Sequence, residues 1–417
     1  MSTRTTRTPT VLVIGTLDTK GPETLYLKER VEALGCATLV LDSGILGEAD
    51  GIVPDVSRQE VAIAAGSTID ALRTAGTRGA AVECMRIGVR SIALRLYAEN
   101  RIDGVVALGG AEGSVLASAA MKALPLGLPK LLVSPIASGR RPCGMFTGTK
   151  DVLVMHSVVD ILGLNAVSSQ IFDNAAAAIA GMATSFARQT TRIGEPTSQR
   201  KQIAATMLGN TTRPLMIVRK ALAERGYDLV IFHANGVGGA AMEELIEQNY
   251  FNGVIDFTLS ELPGNSVGGF HDGGPTRMDM AGAKGIPQLI VPGCVDFIIC
   301  PPRDQIPDQF KNRPSHFHNP EFTLVRVTRE EQLQIARLLA EKLNASKGSV
   351  MVVVPTNGLS IPNNPNGEFW DPETDALFRA ELKSRLRRDI TYEEFDGHIN
   401  DEAFAHYVVE LSLTMFA

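Results

Sequence analysis

The stretch that decides the fold is residues 11–24, VLVIGTLDTKGPET. Val11, Leu12, Val13 and Ile14 form an unbroken apolar run, the signature of a strand buried on both faces. Gly15 allows a tight exit, a polar loop follows, and a helix begins. Thr16, Asp18, Thr19 and Lys20 therefore sit where the carboxyl end of a strand meets a helix amino terminus. In open α/β sheets ligands bind at such crevices. Helix amino termini favour anions, because unpaired N–H groups and the macrodipole point outward there. Lys20 adds a fixed positive charge, and Asp18 adds a carboxylate suited to a ribose or a magnesium ion. The loop matches neither GxxxxGK[ST] nor GxGxxG, so a phosphorylated ligand and a plain connection both remain open readings.

Outward from this stretch, apolar spacing predicts a helix over 23–34, stopped by Gly35, and a second strand over 37–41. Helical segments run to residue 99. A strand over 103–108 leads into a glycine-rich loop and a helix over 115–123, and a strand over 130–134 ends at Ser134. A short helix is expected over 157–164 and a long one over 169–188. The pattern restarts after a polar stretch, with strands expected over 202–207, 229–232, 253–257, 288–291 and 350–354 and helices between them. A helix opened by Pro275 is expected over 275–283, and residues 301–319 read as an irregular, Pro-rich loop. Such alternation means parallel sheets with helices on both faces. The expected division is a nucleotide-binding domain over 1–190, a linker over 191–201 and a second domain over 202–417.

Composition narrows the class. A net charge of −6 argues against non-specific nucleic-acid binding, which needs a basic field. Cys36, Cys84, Cys143, Cys294 and Cys300 are odd in number and form no CxxC pair, which points to a reducing cytoplasm rather than a disulfide framework. The polar start has no apolar core of a secretory signal, and no window reaches the apolar length of a membrane helix.

Three loops of the first half share small, polar character: Thr16 to Lys20; Gly109, Gly110, Ala111, Glu112, Gly113 and Ser114; and Ser134 with Ser138 and Gly139. Glycines at a strand end let backbone N–H groups approach a phosphate, or simply let a helix pack closely on the sheet. Arg86 and Arg90, four residues apart on one helix face, would reach phosphates or lie solvated beside Glu83. The second half carries His233 and Asn235 before Gly238–Gly239, then His271 before a double glycine, and His316 and His318 in the Pro-rich loop. His316-x-His318 is no zinc spacing, so no metal site is expected from the residues themselves.

The series GTLDTKGPE, LGGAEGS, SPIASG, HANGVGGAAMEELI, GGPTRMDMAG and FHNPEFTLVR, in this order, resembles a family of bacterial, fungal and plant proteins that includes the tomato mosaic virus resistance protein. The resemblance covers nearly the whole chain from Val11 onward. It implies two Rossmann-like, doubly wound domains, a homodimer or dimer of dimers, and ATP with Mg2+ in the first domain. The implied ATP contacts are Asp18, Thr19, Lys20, a residue near Ser57, a basic residue near Arg86, and the loop from Gly109 to Ser114. The plant protein continues into a barrel-like region that this sequence does not include, and its antiviral activity belongs to one plant–virus pairing.

The leading expectation is thus a cytoplasmic, ATP-binding protein whose first-domain loops hold the nucleotide phosphates. The alternative is a metabolic enzyme whose second domain places His233, Asn235, His271 and His316 around a small substrate, with ATP as co-substrate or structural ligand. A third reading is an interaction module stabilised by ATP. Sequence does not decide whether the protein is an enzyme.

Overall fold

The computed structural model describes residues 7–74, 76–137, 144–189 and 200–417. The chain forms two compact units, Met1–Glu195 and Pro196–Ala417. Both are α/β, with mainly parallel sheets flanked by helices.

In unit 1 the elements run β1 (Thr10–Gly15), α1 (Leu17–Ala33), β2 (Ala37–Asp42), α2 (Arg58–Ala64), α3 (Ile69–Arg73), α4 (Arg78–Ala98), β3 (Gly104–Leu108), α5 (Ala111–Ala123), β4 (Lys130–Ser134), α6 (Gly144–Thr147), β5 (Leu153–His156) and α7 (Ala166–Arg188). The strand order is β2-β1-β3-β4-β5, every pair parallel. Side chains alternate across β1. Leu12 and Ile14 enter the core under α2, α4 and α5, and Val11 and Val13 enter the one under α1 and α7. In this order the chain reverses its winding between β1 and β3, and the exits of those two strands flank the ligand crevice of doubly wound sheets.

Unit 2 contains β6 (Lys201–Met207), α8 (Thr212–Ala223), β7 (Tyr227–His233), α9 (Gly238–Glu247), β8 (Gly253–Thr258), α10 (Glu261–Ser266), α11 (Asp279–Lys284), β9 (Gln288–Gly293), β10 (Phe297–Cys300), β11 (Ser315–Asn319), β12 (Phe322–Arg326), α12 (Arg329–Asn344), β13 (Val350–Pro355), α13 (Pro372–Arg385), β14 (Thr391–Phe395) and α14 (Glu402–Phe416). Its parallel sheet has the order β14-β13-β9-β8-β6-β7, and its reversal point lies between β6 and β8. A small antiparallel sheet, β10-β12-β11, is inserted between β9 and α12.

Several local expectations are corrected. Residues 157–164 form bends, not a helix: Val158 has φ 63° and Gly163 has φ 76°, both outside helical backbone. The helix expected over 275–283 shrinks to Asp279–Lys284, because Met278 is left-handed at φ 73° and ends any helix from Pro275. Residues 301–319 are not loop throughout, since β11 closes the antiparallel insert. Two helices begin earlier than expected. α5 already starts at Ala111, and α1 starts at Leu17 with a break at Lys20 (φ −133°, ψ 24°) that accommodates Pro22 inside the helix.

Candidate phosphate-binding crevice

A cavity of about 580 Å3 lies at the β1/β3 reversal point of unit 1, within the roughly 300–1,000 Å3 usual for small-molecule sites. The β1 exit brings Thr16, Asp18, Thr19 and Lys20 to its wall, and the head of α5 brings Gly110, Ala111, Glu112 and Gly113. Two helix amino termini therefore face one space. Neither Thr16 before α1 nor Gly110 before α5 makes a side-chain capping bond, but at α1 the Leu17 N–H is taken by Asp42 and those of Thr19 and Lys20 turn back to the Thr16 carbonyl. The first N–H groups of a helix have no partner within it, so those of Ala111, Glu112 and Gly113 stay available to an anion. A Cβ on Gly110 would meet nothing within 4 Å, so its side-chain direction is open. Lys20 makes no ion pair among the described residues.

Asp18 does something other than present a free carboxylate. Its Oδ2 accepts from the Leu46 and Gly47 N–H groups at 2.9 and 3.0 Å, pinning the β2 exit loop against α1. Gly44 is required by this contact, since a Cβ there would lie 2.8 Å from the Asp18 carboxyl. The neighbouring Asp42, almost fully buried, accepts from the Leu17 and Gly44 N–H groups, and burial pushes its carboxyl above the usual carboxylate range.

Of the remaining positions singled out in the sequence, Gly109 and Ser114 support the loop from beneath. A Cβ on Gly109 would lie 2.5 Å from the Gly113 carbonyl carbon, so the close turn from β3 into α5 needs glycine. Ser114 is fully buried, and its Oγ is hydrogen-bonded to the Gly109 carbonyl at 2.9 Å and to Ser134 Oγ at 2.7 Å, tying the ends of β3 and β4 together. Ser57 caps α2 in a reciprocal box with Glu60 and does not line the cavity. Arg86 pairs with Glu83 at 2.6 Å and, with Arg90 and Lys122, lines a separate cavity of about 260 Å3 between α4 and α5. Ser138 and Gly139 lie outside the described residues.

Sequence reasoning missed the opposite wall. Leu72, Ala81 and Leu116 give it an apolar surface. Arg73 donates to the Ile45 and Leu46 carbonyls, and Arg78 pairs with Glu112 at 2.5 and 2.7 Å near the mouth, its side chain still 71% exposed. No motif marks these residues; only the strand order brings the β2 exit and the start of α4 beside the β1 exit.

The glycine loop of unit 2 looks equivalent in sequence and is closed in structure. Glu261 Oε1 accepts from the Gly236 and Gly239 N–H groups at 2.7 and 3.0 Å, and Asn235 Oδ1 accepts from those of Val237 and Gly238. An internal carboxylate thus fills the place a phosphate would take, and a Cβ on Gly239 would lie 2.0 Å from it. Arg277, fully buried, balances the charge through Glu261 at 2.7 Å, a two-pronged contact with Asp256 at 2.7 Å, and Glu243 at 3.4 Å.

Above this plug lie imidazoles. His271 is pushed down to about 4 by burial, with His233 and His318 close enough to add to the effect. The unfolded chain therefore binds a proton here that the fold resists between pH 6.5 and about 4. Stability of unit 2 is expected to be intact above pH 6.5 and to fall as pH drops through that window. Urea midpoints across pH check this: His271→Phe should flatten the acid limb, and an unchanged limb would contradict the assignment.

Among the described residues no group of three or more His, Cys, Asp or Glu converges as a metal site, and no helix is long and apolar enough to cross a membrane. Fold and crevice define a two-unit, doubly wound α/β protein with an open crevice at the β1/β3 reversal point of its first unit. The chain belongs to the Uncharacterised protein family (UPF0261): residues 9–188 match its N-terminal domain and residues 200–416 its C-terminal domain. It is 40% identical over 397 residues to a UPF0261 protein of Clostridium tetani, covering 95% of this chain and 96% of that one. Two Solanum lycopersicum proteins are each 32% identical: the ToMV susceptible protein tm-1(GCR26), covering 100% of this chain and 57% of that one, and the ToMV resistance protein Tm-1(GCR237), covering 98% and 56%. The chain thus spans somewhat over half the length of the tomato relatives.

Proposed function

We propose that unit 1 binds ATP, with the phosphates on the open amino terminus of α5 beside the β1 exit loop and the base against Leu72, Ala81 and Leu116. The observation that carries this reading is the uncapped head of α5, which faces a cavity of nucleotide size with Gly110 leaving the approach clear. Lys20 supplies the counter-charge. The family resemblance implies the same ligand, with Mg2+. Carboxylates on the wall are engaged, Asp18 by backbone N–H groups and Glu112 by Arg78, so magnesium would arrive on the phosphates rather than in a protein cage. The resemblance further implies a homodimer, which light scattering tests, and the cysteine usage points to a reducing cytoplasm.

Calorimetric titration of ATP with magnesium tests the reading. Lys20→Ala removes a charge-assisted contact and is expected to weaken binding about 10- to 100-fold. Unchanged affinity would remove Lys20 from the phosphate site. Hydrolysis should be slow, because Glu112 is paired with Arg78 and Asp18 Oδ2 is held by two backbone N–H groups. A phosphate-release assay showing rapid turnover would contradict that. The antiviral role in the names of the tomato relatives is not carried over.

A further inference from the structure

We propose that unit 1 carries a second ligand site, in the cleft between α4 and α5, for a small organic phosphate monoester. The first observation is the cavity. It encloses about 260 Å3 and shares no lining residue with the crevice at the β1/β3 reversal point. Arg86, Ile87 and Arg90 come from α4, and Ala119, Lys122 and Ala123 from α5. On each helix these positions fall within one turn and form one face. The two alanines are too short to fill the space between the helices, so the cleft stays open beneath the longer cationic side chains.

The second observation is charge and how it is held. The charged residues of the lining are all cations, and Glu83, paired with Arg86, offsets one of the three. Two positive charges are left to one small space, in a chain whose net charge is −6. Cations gathered in a cleft draw an anion to the space between them. Two of them are already positioned. Glu83 accepts from Arg86 Nε and Nη2 at 2.9 and 2.6 Å, which leaves Nη1 to donate elsewhere. Lys122 Nζ donates to the Met145 carbonyl at 3.0 Å, and its stem lies along Gly148, where a Cβ would come within 3.1 Å of Lys122 Cδ. One N–H of that ammonium is spent and two remain. Arg90 is exposed and makes no hydrogen bond or ion pair among the described residues, so its whole donor fork is unspent.

The third observation sets the chemical class. A phosphate monoester carries about −1.5 to −2 charge at neutral pH and three strong acceptor oxygens, which matches the charge and donors left over here. The cavity lies below the roughly 300–1,000 Å3 of drug-sized sites, which is too small for a nucleotide and leaves room for a phosphate with a short carbon body. Ile87, half exposed, gives that body an apolar rest beside Ala119 and Ala123. Arg86 and Arg90 thus serve a phosphate in this cleft rather than the nucleotide of the crevice, and the assignment does not depend on the ATP reading of unit 1.

Calorimetric titration of the full chain with glycerol 3-phosphate tests it, at low ionic strength, both without ATP and with ATP and magnesium present. Binding is expected in both conditions, tighter than that of inorganic phosphate, succinate or glycerol. Arg90→Ala and Lys122→Gln should each weaken it about 10-fold or more, because each removes a charge-assisted contact. Arg90 is exposed, so Arg90→Ala decides the matter if Lys122→Gln fails to fold by circular dichroism. Should ATP itself not bind, the same variants decide it on the free chain. No binding, binding lost when ATP is added, equal affinity in the folded variants, or a comparison compound bound as tightly would overturn the proposal.

Discussion

Gly110→Asp is expected to abolish ATP binding while raising the stability of unit 1. Gly110 is the N-cap of α5 at φ −64° and ψ −159°, a backbone that any residue adopts, and its side-chain direction is open. Aspartate is among the preferred N-cap residues, and at a cap position it is worth only about a few tenths of a kcal/mol over glycine. Its carboxylate would accept from the first-turn N–H groups, as Glu261 already does for Gly236 and Gly239 in unit 2. The same carboxylate would then occupy the phosphate seat and repel what it had not displaced. Affinity should drop about 100-fold or more, a loss of roughly 2.7 kcal/mol, while the thermal midpoint of unit 1 rises by about a degree. Opposite signs in the two readouts separate loss of a ligand seat from loss of the fold. Retained binding, or a lowered midpoint with lost binding, would contradict the account.

Arg277→Met should produce the largest loss of stability in the chain. The guanidinium is fully buried, its charged form is strongly favoured by Asp256, Glu261 and Glu243, and two of those carboxylates are themselves almost wholly buried. Removing the cation leaves carboxylates without compensation in a low-dielectric interior, which typically costs about 3–5 kcal/mol. For a unit of this size that is a fall in midpoint of roughly 6–20 °C. Calorimetry reads it directly. Adding Glu261→Gln to Arg277→Met should recover part of the loss, because one uncompensated charge is gone. A midpoint within a degree or two of wild type would show that the network does not hold unit 2 together.

What was legible in the sequence follows from the range of the interactions involved. The buried run 11–14 and the glycine after Leu108 are local signals, and they mark β1, β3 and the crevice between them. The contrast between the glycine loops is not local. Glu261 lies more than twenty residues beyond Gly239, and Arg277 lies farther still; only the fold brings them beneath α9. Sequence gives both loops the same grammar, and tertiary pairing makes one open and one plugged. Short or polar strands were lost for another reason: Phe297–Cys300 is only four residues long, and the edge strand TYEEF of β14 lacks an apolar face. Asp18 was legible as a residue of the crevice but not in its role, because its partners Leu46 and Gly47 come from the next loop.

The central claim is that triphosphate oxygens sit on the head of α5. A crystal structure of the full chain with ATP and magnesium tests it most directly. Phosphate oxygens should lie within about 2.7–3.2 Å of the backbone nitrogens of Glu112 and Gly113, with Lys20 Nζ on the same phosphates. A nucleotide bound elsewhere, or seated here with its base rather than its phosphates against α5, would contradict it.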